Sequence, residues 1–157
     1  MSTFLERAER YYKLTKLLLA VAKNIDVSSM RSKYNFTKKR VVRIYIIDAN
    51  KYYTFQLRDD GLKVLLTNPN PDAIIIMEQL CTFKHLRLGK KAGMDPANGA
   101  KIMMRYTPWE SWRMGDIKSS GDGSTNDFLA AMEMFTEMVG CIPEPDVVSI
   151  IGPCEHD

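Results

Sequence analysis

The segment Tyr52–Arg58 fixes what surrounds it. Tyr53, Phe55 and Leu57 alternate with Tyr52, Thr54, Gln56 and Arg58, so an extended strand here has one apolar and one polar side. Such a strand belongs to an antiparallel sheet with one covered face. Val42, Ile44 and Ile46 share one face of a preceding strand, and Asp48-Ala-Asn-Lys51 reads as the connecting turn. Asp59-Asp-Gly61 reads as a hairpin loop with glycine at the positive-φ position, and Leu62–Thr67 as a third strand. Asn68-Pro-Asn-Pro-Asp72 interrupts the pattern. Ala73-Ile-Ile-Ile-Met77 lacks alternation and reads as a strand buried on both faces.

Helical spacing brackets this meander. Over Ser2–Ile25, Thr3 and Glu6 make a capping box. Phe4, Leu5, Ala8, Tyr11, Tyr12, Leu18, Leu19 and Ala22 form a broad apolar stripe. Glu78–Leu88 turns Leu80, Phe83 and Leu86 or Leu88 inward and ends at Gly89, a left-handed cap. Lys90–Ala100 reads as a connection and Lys101–Tyr106 as a short helix. Thr107-Pro-Trp-Glu110 opens another helix, with Thr107 as N-cap and Pro108 in the first position. Met114–Asp122 reads as a short strand and glycine turn. The helix after it, capped by Ser124 or Thr125, presents Phe128, Leu129, Met132, Phe135 and Val139. Gly140–Asp157, with Pro143, Pro145 and Pro153, reads as a tail, in which Val147–Ile151 is a candidate edge strand.

The predicted class is therefore α+β, with helices over one face of a mostly antiparallel sheet. Residues 1–25 form an N-terminal helix, 26–40 a basic linker, 41–140 the domain and 141–157 the tail. A chain of 157 residues can bury one good core. Its net charge of +3 is too small to imply nucleic acid. The basic run Lys23, Arg31, Lys33, Lys38, Lys39, Arg40 and Arg43 reads as a solvated stretch rather than a lipid or partner surface. An odd count of 3 cysteines, with no signal peptide, predicts reduced thiols and a cytoplasmic setting. Leu17–Ala22 is too short to cross a bilayer.

A family resemblance rests on specific segments. These are the meander with its Asp-Asp-Gly turn, Pro71-Asp-Ala-Ile-Ile-Ile-Met77, a helix ending in Gly89-Lys90, and Gly115-Asp-Ile-Lys-Ser-Ser-Gly121 before a Leu/Met/Phe helix. Together, over Val41–Val139, they resemble a sterol carrier protein 2 (SCP2) domain. The resemblance implies a five-stranded sheet covered by helices around an apolar tunnel for sterols, fatty acids or acyl-CoA, without a catalytic centre. Two departures stand out. Lys91–Arg113 is longer than the family's usual connection and carries both tryptophans, and the peroxisomal tail of eukaryotic members is missing, which points to a cytosolic, prokaryotic protein.

The candidate ligand-binding residues are Phe55, Leu57, Ile75, Met77, Phe83, Met103, Met104, Trp109, Trp112, Phe128, Met132 and Phe135, with Arg105 and Arg113 for a head group. Methionine suits a pocket that fits varied ligands, and equally fills an ordinary core. Trp109 and Trp112 stand at helical spacing, suited to a pocket mouth, a lipid surface or a satellite core. Cys81 and His85 share a helix face, but spacing places no third ligand or orienting acid beside them. No catalytic residue, metal or cofactor is expected. The expected function is non-enzymatic carriage of an apolar small molecule or lipid, with transient membrane-surface contact as an accessory. The alternative is a protein–protein or dimerisation module with a filled cavity, homodimeric through the N-terminal helix.

Overall fold

The computed structural model describes residues 3–26, 40–58, 61–65, 69–120, 125–155 and 157. Most of the basic linker, the Asp59–Asp60 turn, the Gly121–Ser124 turn and His156 lie outside the described residues. The chain runs α1 (Phe4–Val21), β1 (Arg40–Ile46), β2 (Lys51–Arg58), β3 (Gly61–Leu65), β4 (Ala73–Met77), α2 (Cys81–Leu88), β5 (Lys90–Met94), β6 (Lys101–Arg105), α3 (Pro108–Arg113), β7 (Ile117–Ser120), α4 (Thr125–Cys141) and α5 (Glu144–Ile151). It is an α+β fold built on a five-stranded sheet of order β3-β2-β1-β4-β7, with β5 and β6 paired separately. Every neighbouring pair of the main sheet is antiparallel except β1 and β4, which run parallel.

Register carries the alternation of β2 across the sheet. Phe55 lies opposite Val42 and Val64, Tyr53 opposite Ile44, and Leu57 opposite Leu62. Ile75 continues the row beside Ile44, and Met77 lies between Ile46 and Ile117. All of these but the half-buried Val64 are buried in the core. The even-handed run of β4 is resolved the same way: Ile75 and Met77 are buried, whereas Ile74 and Ile76 are half-buried on the other face. Burial of β4 on both faces is thus corrected, because a single side receives the helix layer. On the outer face Arg43 donates to Pro69 O at 2.6 Å and lies 5.1 Å from the Tyr52 ring centroid.

Helix α1 starts as its sequence demands, with Thr3 Oγ1 accepting from the Glu6 N–H at 3.1 Å. Its C-terminal half packs on the domain through Leu14, Leu18 and Val21, followed by Ala22 and Ile25. Tyr11 stacks on Tyr53 at 4.5 Å, and the Tyr53 hydroxyl donates to Tyr11 O at 2.7 Å. Phe4, Leu5, Tyr12 and Leu19 are exposed. Helix α2 ends at Gly89 with φ 72°, where a left-handed residue closes the helix onto His85 O and Leu86 O.

Three local expectations change, the first being that the connection after Gly89 opens with a strand, β5. Lys101–Arg105 is a strand, because it finds a hairpin partner in β5, with Lys90 opposite Arg105 and Gly93 opposite Ile102. The absent side chain of Gly93 leaves room for the end of the Met104 side chain, which a Cβ there would crowd. Val147–Ile151 belongs to a helix that begins after Pro143 and stops at Gly152, with Val147 and Ile151 buried. Among the described residues, no helix is long and apolar enough to cross a membrane.

Candidate functional site

The apolar face of the sheet meets α4. Val42, Ile44, Phe55 and Leu62 oppose Ala131, Met134, Phe135 and Met138, and the space enclosed between them is about 10 Å³. That is at the lower limit for one water molecule. Phe135 also meets Phe83 edge-on at 5.7 Å, tying α4 to α2. Helix spacing explains the arrangement: residues three and four apart return to the same side, so Ala131, Met134, Phe135 and Met138 form one stripe.

The expected ligand-binding residues separate into two groups. Phe55, Leu57, Ile75, Met77, Phe83, Met132 and Phe135 are all buried in one contiguous core. The Phe128 side chain lies outside the described residues. Trp109 is half-buried against that core, while Trp112 is 43% exposed. Met103 is 56% exposed on β6 and Met104 half-buried. Arg105 and Arg113 are exposed, and Arg105 Nε lies 3.9 Å from Glu110 Oε1. The hairpin therefore does not deliver its residues to the sheet–helix interface. It roofs a separate cleft of about 740 Å³ lined by Met94, Met104 and Met114 with Lys91 and Lys101.

Lys91 and the buried Tyr106 converge on Asp116 between the hairpin, α3 and β7. Lys91 Nζ donates to Asp116 Oδ2 at 2.9 Å and the Tyr106 hydroxyl donates to the same oxygen at 2.5 Å. Burial first, and then the Asp116 carboxylate, push the Tyr106 hydroxyl far above its ordinary pKa.

A polar constellation that spacing left incomplete gathers where the C-terminal residues fold back on α2. Cys81 and Cys154 are bridged, which corrects the expectation of unpaired thiols. The signal was hidden because 73 residues separate them, and α5 is what returns the chain to α2. Cys141 remains unbridged. Lys84 is 4% exposed; its ammonium donates to Gly152 O at 2.6 Å and to Asp157 Oδ2 at 2.7 Å. Burial tends to raise the Asp157 carboxyl, but the Lys84 ammonium and the Cys154 N–H outweigh it and hold its pKa low. His85 is 3% exposed, and its Nε2 lies 3.4 Å from Asp157 Oδ1 without a hydrogen bond. Its pKa is lowered, by burial above all and by the ammonium groups of Lys91 and Lys84, against the pull of Asp157.

Outside these sites, a polar cleft of about 560 Å³ opens beside the bridge, walled by Arg7, Arg10, Asp48 and Gln79. Arg7 Nε donates to Asp48 O at 2.6 Å.

No family model matches the sequence, and no curated protein matches it. One solved structure with a likeness is the stereoselective inverting sec-alkylsulfatase Pisa1 from Pseudomonas sp. The two share 14% identity over 78% of this chain at a TM-score of 0.42. This chain spans only 15% of the length of that alkylsulfatase, and at such a TM-score the likeness decides neither fold nor activity.

Proposed function

We propose that this chain is an SCP2-like carrier that binds an apolar ligand between its sheet and α4, in a site that is closed without ligand and opens when α4 shifts. The supporting observation is the chemistry of the α4 wall: Met134 and Met138 face Val42, Ile44, Phe55 and Leu62 with no polar side chain among them. Methionine changes shape at low cost, so such a wall can re-form around a guest. Each buried methylene contributes ~0.8 kcal/mol, so a sixteen-carbon chain gains roughly 10 kcal/mol before the costs of ordering and of displacing α4. No bond is made or broken, and chain lengths are weakly discriminated. A cytoplasmic setting is part of the proposal; there the Cys81–Cys154 bridge would be reduced.

Native mass spectrometry of freshly purified protein, with extraction of anything bound, tests it directly. Stoichiometric fatty acid, isoprenoid or sterol supports carriage. The Phe135→Ala variant should then bind a fluorescent fatty acid at least ten-fold more weakly with the fold intact, a loss of the size expected when a buried aromatic wall is removed. Unchanged affinity in a folded variant removes the site from this interface.

The second reading, an interaction module with a filled interior, is favoured by the small enclosed space, since ligand pockets usually hold about 300–1,000 Å³. Its surface would be α1, where the exposed Leu5, Tyr12 and Leu19 follow a heptad spacing. A concentration-dependent dimer that Leu19→Glu abolishes, from protein carrying no lipid, would support this reading over carriage.

A further inference from the structure

Four side chains of metal-binding type meet where the C-terminal residues cross α2. Cys81 opens that helix and His85 follows one turn later, so both project from the same side. Beyond α5 the chain turns at Gly152, and the Cys154 N–H donates to Asp157 Oδ2 at 2.8 Å, closing a short loop. The donor atoms of His85, Cys154 and Asp157 lie within 4.8 Å of one another, and Cys81 Sγ is bonded to Cys154 Sγ. His85 Nε2 is buried there, directed at this group with no hydrogen-bond partner of its own. Buried polar atoms are rarely left so, and this imidazole nitrogen faces sulfur and carboxylate groups of metal-binding type.

We propose that reduction of the Cys81–Cys154 bridge converts this pocket into a tetrahedral zinc site with Cys81, Cys154, His85 and Asp157 as its ligands. The segment after α5 is then fastened to α2 by a covalent bond in one redox state and by a metal ion in the other.

The chemistry balances with a dithiol reductant. Its thiolate attacks one sulfur of the bridge, forming a mixed disulfide and releasing the other cysteine as thiolate. The second thiol of the reductant then displaces the remaining cysteine. The reductant leaves as its own disulfide, and two electrons and two protons have passed to Cys81 and Cys154. Zinc displaces both thiol protons on binding and keeps its oxidation state.

The geometry needs little adjustment. Zn–S bonds of about 2.3 Å at a tetrahedral angle place two sulfurs about 3.8 Å apart, within reach of cysteines whose Cα atoms stand 6.2 Å apart. His85 is fixed by its helix, while Cys154 and Asp157 lie in neither helix nor strand. Charge is matched as well. Two thiolates and one carboxylate give a zinc complex one net negative charge, and the Lys84 ammonium already lies 2.7 Å from Asp157. Lys84 would hold the carboxylate as an outer partner, orienting one oxygen toward the metal. Soft sulfur donors favour zinc over calcium or magnesium.

The test uses the whole chain, reduced with a non-thiol phosphine and titrated anaerobically with Co2+. The expected result is one equivalent bound, with the intense visible bands of a tetrahedral ion and thiolate-to-cobalt charge transfer, displaced by Zn2+; the bridged protein shows none of this. Asp157→Asn should weaken binding more than ten-fold with an unchanged circular dichroism spectrum, and His85→Ala at least as much. Asp157 is partly exposed, so its variant is readable even if the cysteine variants fail to fold. A reduced protein without the tetrahedral spectrum overturns the proposal. So does a site whose affinity is unmoved in folded Asp157→Asn and His85→Ala.

Discussion

Tyr106 shows how one hydroxyl can anchor an irregular segment. Its ring is fully buried, and its hydroxyl shares Asp116 Oδ2 with Lys91. Because its pKa is pushed upward, it remains a donor throughout the ordinary pH range. Tyr106→Phe keeps the ring and deletes the hydroxyl with its hydrogen bond to a charged acceptor, while Lys91 still pairs Asp116. The expected loss is about 1.5–3 kcal/mol, seen as a lower denaturation midpoint with unchanged slope. Residues of this kind were illegible in the sequence, since Lys91 and Asp116 stand 25 apart and no local rule links them. Thr107 and Gly89 were legible for the opposite reason: each acts on a partner within four residues.

At the scale of elements, α1 separates what periodicity can say from what it cannot. The expected stripe ran through Phe4, Leu5, Tyr12 and Leu19, which are exposed, and left out Leu14, which is buried; apolar residues surround much of this helix, so periodicity did not pick its contact face. The structure buries Leu14 and Leu18 and leaves Leu5 78% exposed. Leu14→Ala should therefore cost about 2–5 kcal/mol, whereas Leu5→Ala should fall within about 0.5 kcal/mol of the parent; paired urea melts measure both. A different ambiguity hid α5. Its β-branched run resembles a strand, yet Pro143, Pro145 and Gly152 punctuate it as a helix, with proline near the start and glycine after the end. Strand β6 was missed because Lys101–Arg105 has no polar–apolar alternation; its pairing comes from β5, not from a buried face. The meander was readable because burial and periodicity agree there; on α4, spacing found the buried Met132, Phe135 and Val139 but not Ala131, Met134 and Met138, which line the face toward the sheet.

Across the whole molecule, the Cys81–Cys154 bridge encloses a separation of 73 residues. Chain entropy then assigns it about 4 kcal/mol, less any strain. Reduction in the presence of a metal chelator should lower the melting temperature while leaving the far-ultraviolet spectrum of the folded state nearly unchanged; an unaltered melt would mean the bridge constrains nothing that unfolding releases. The parallel pairing of β1 with β4 has another consequence, in the order of assembly. Strands β1, β2 and β3 can zip by short closures, but β4 must travel past two strands before it lies beside β1. Non-local closure of this kind sets the pace of folding. Ile75→Val, in that central seam, should mainly slow refolding, whereas Ile117→Val, on the outermost strand, should mainly hasten unfolding. Stopped-flow chevrons would separate the two, and would time the moment at which a ribbon of hairpins becomes a closed sheet.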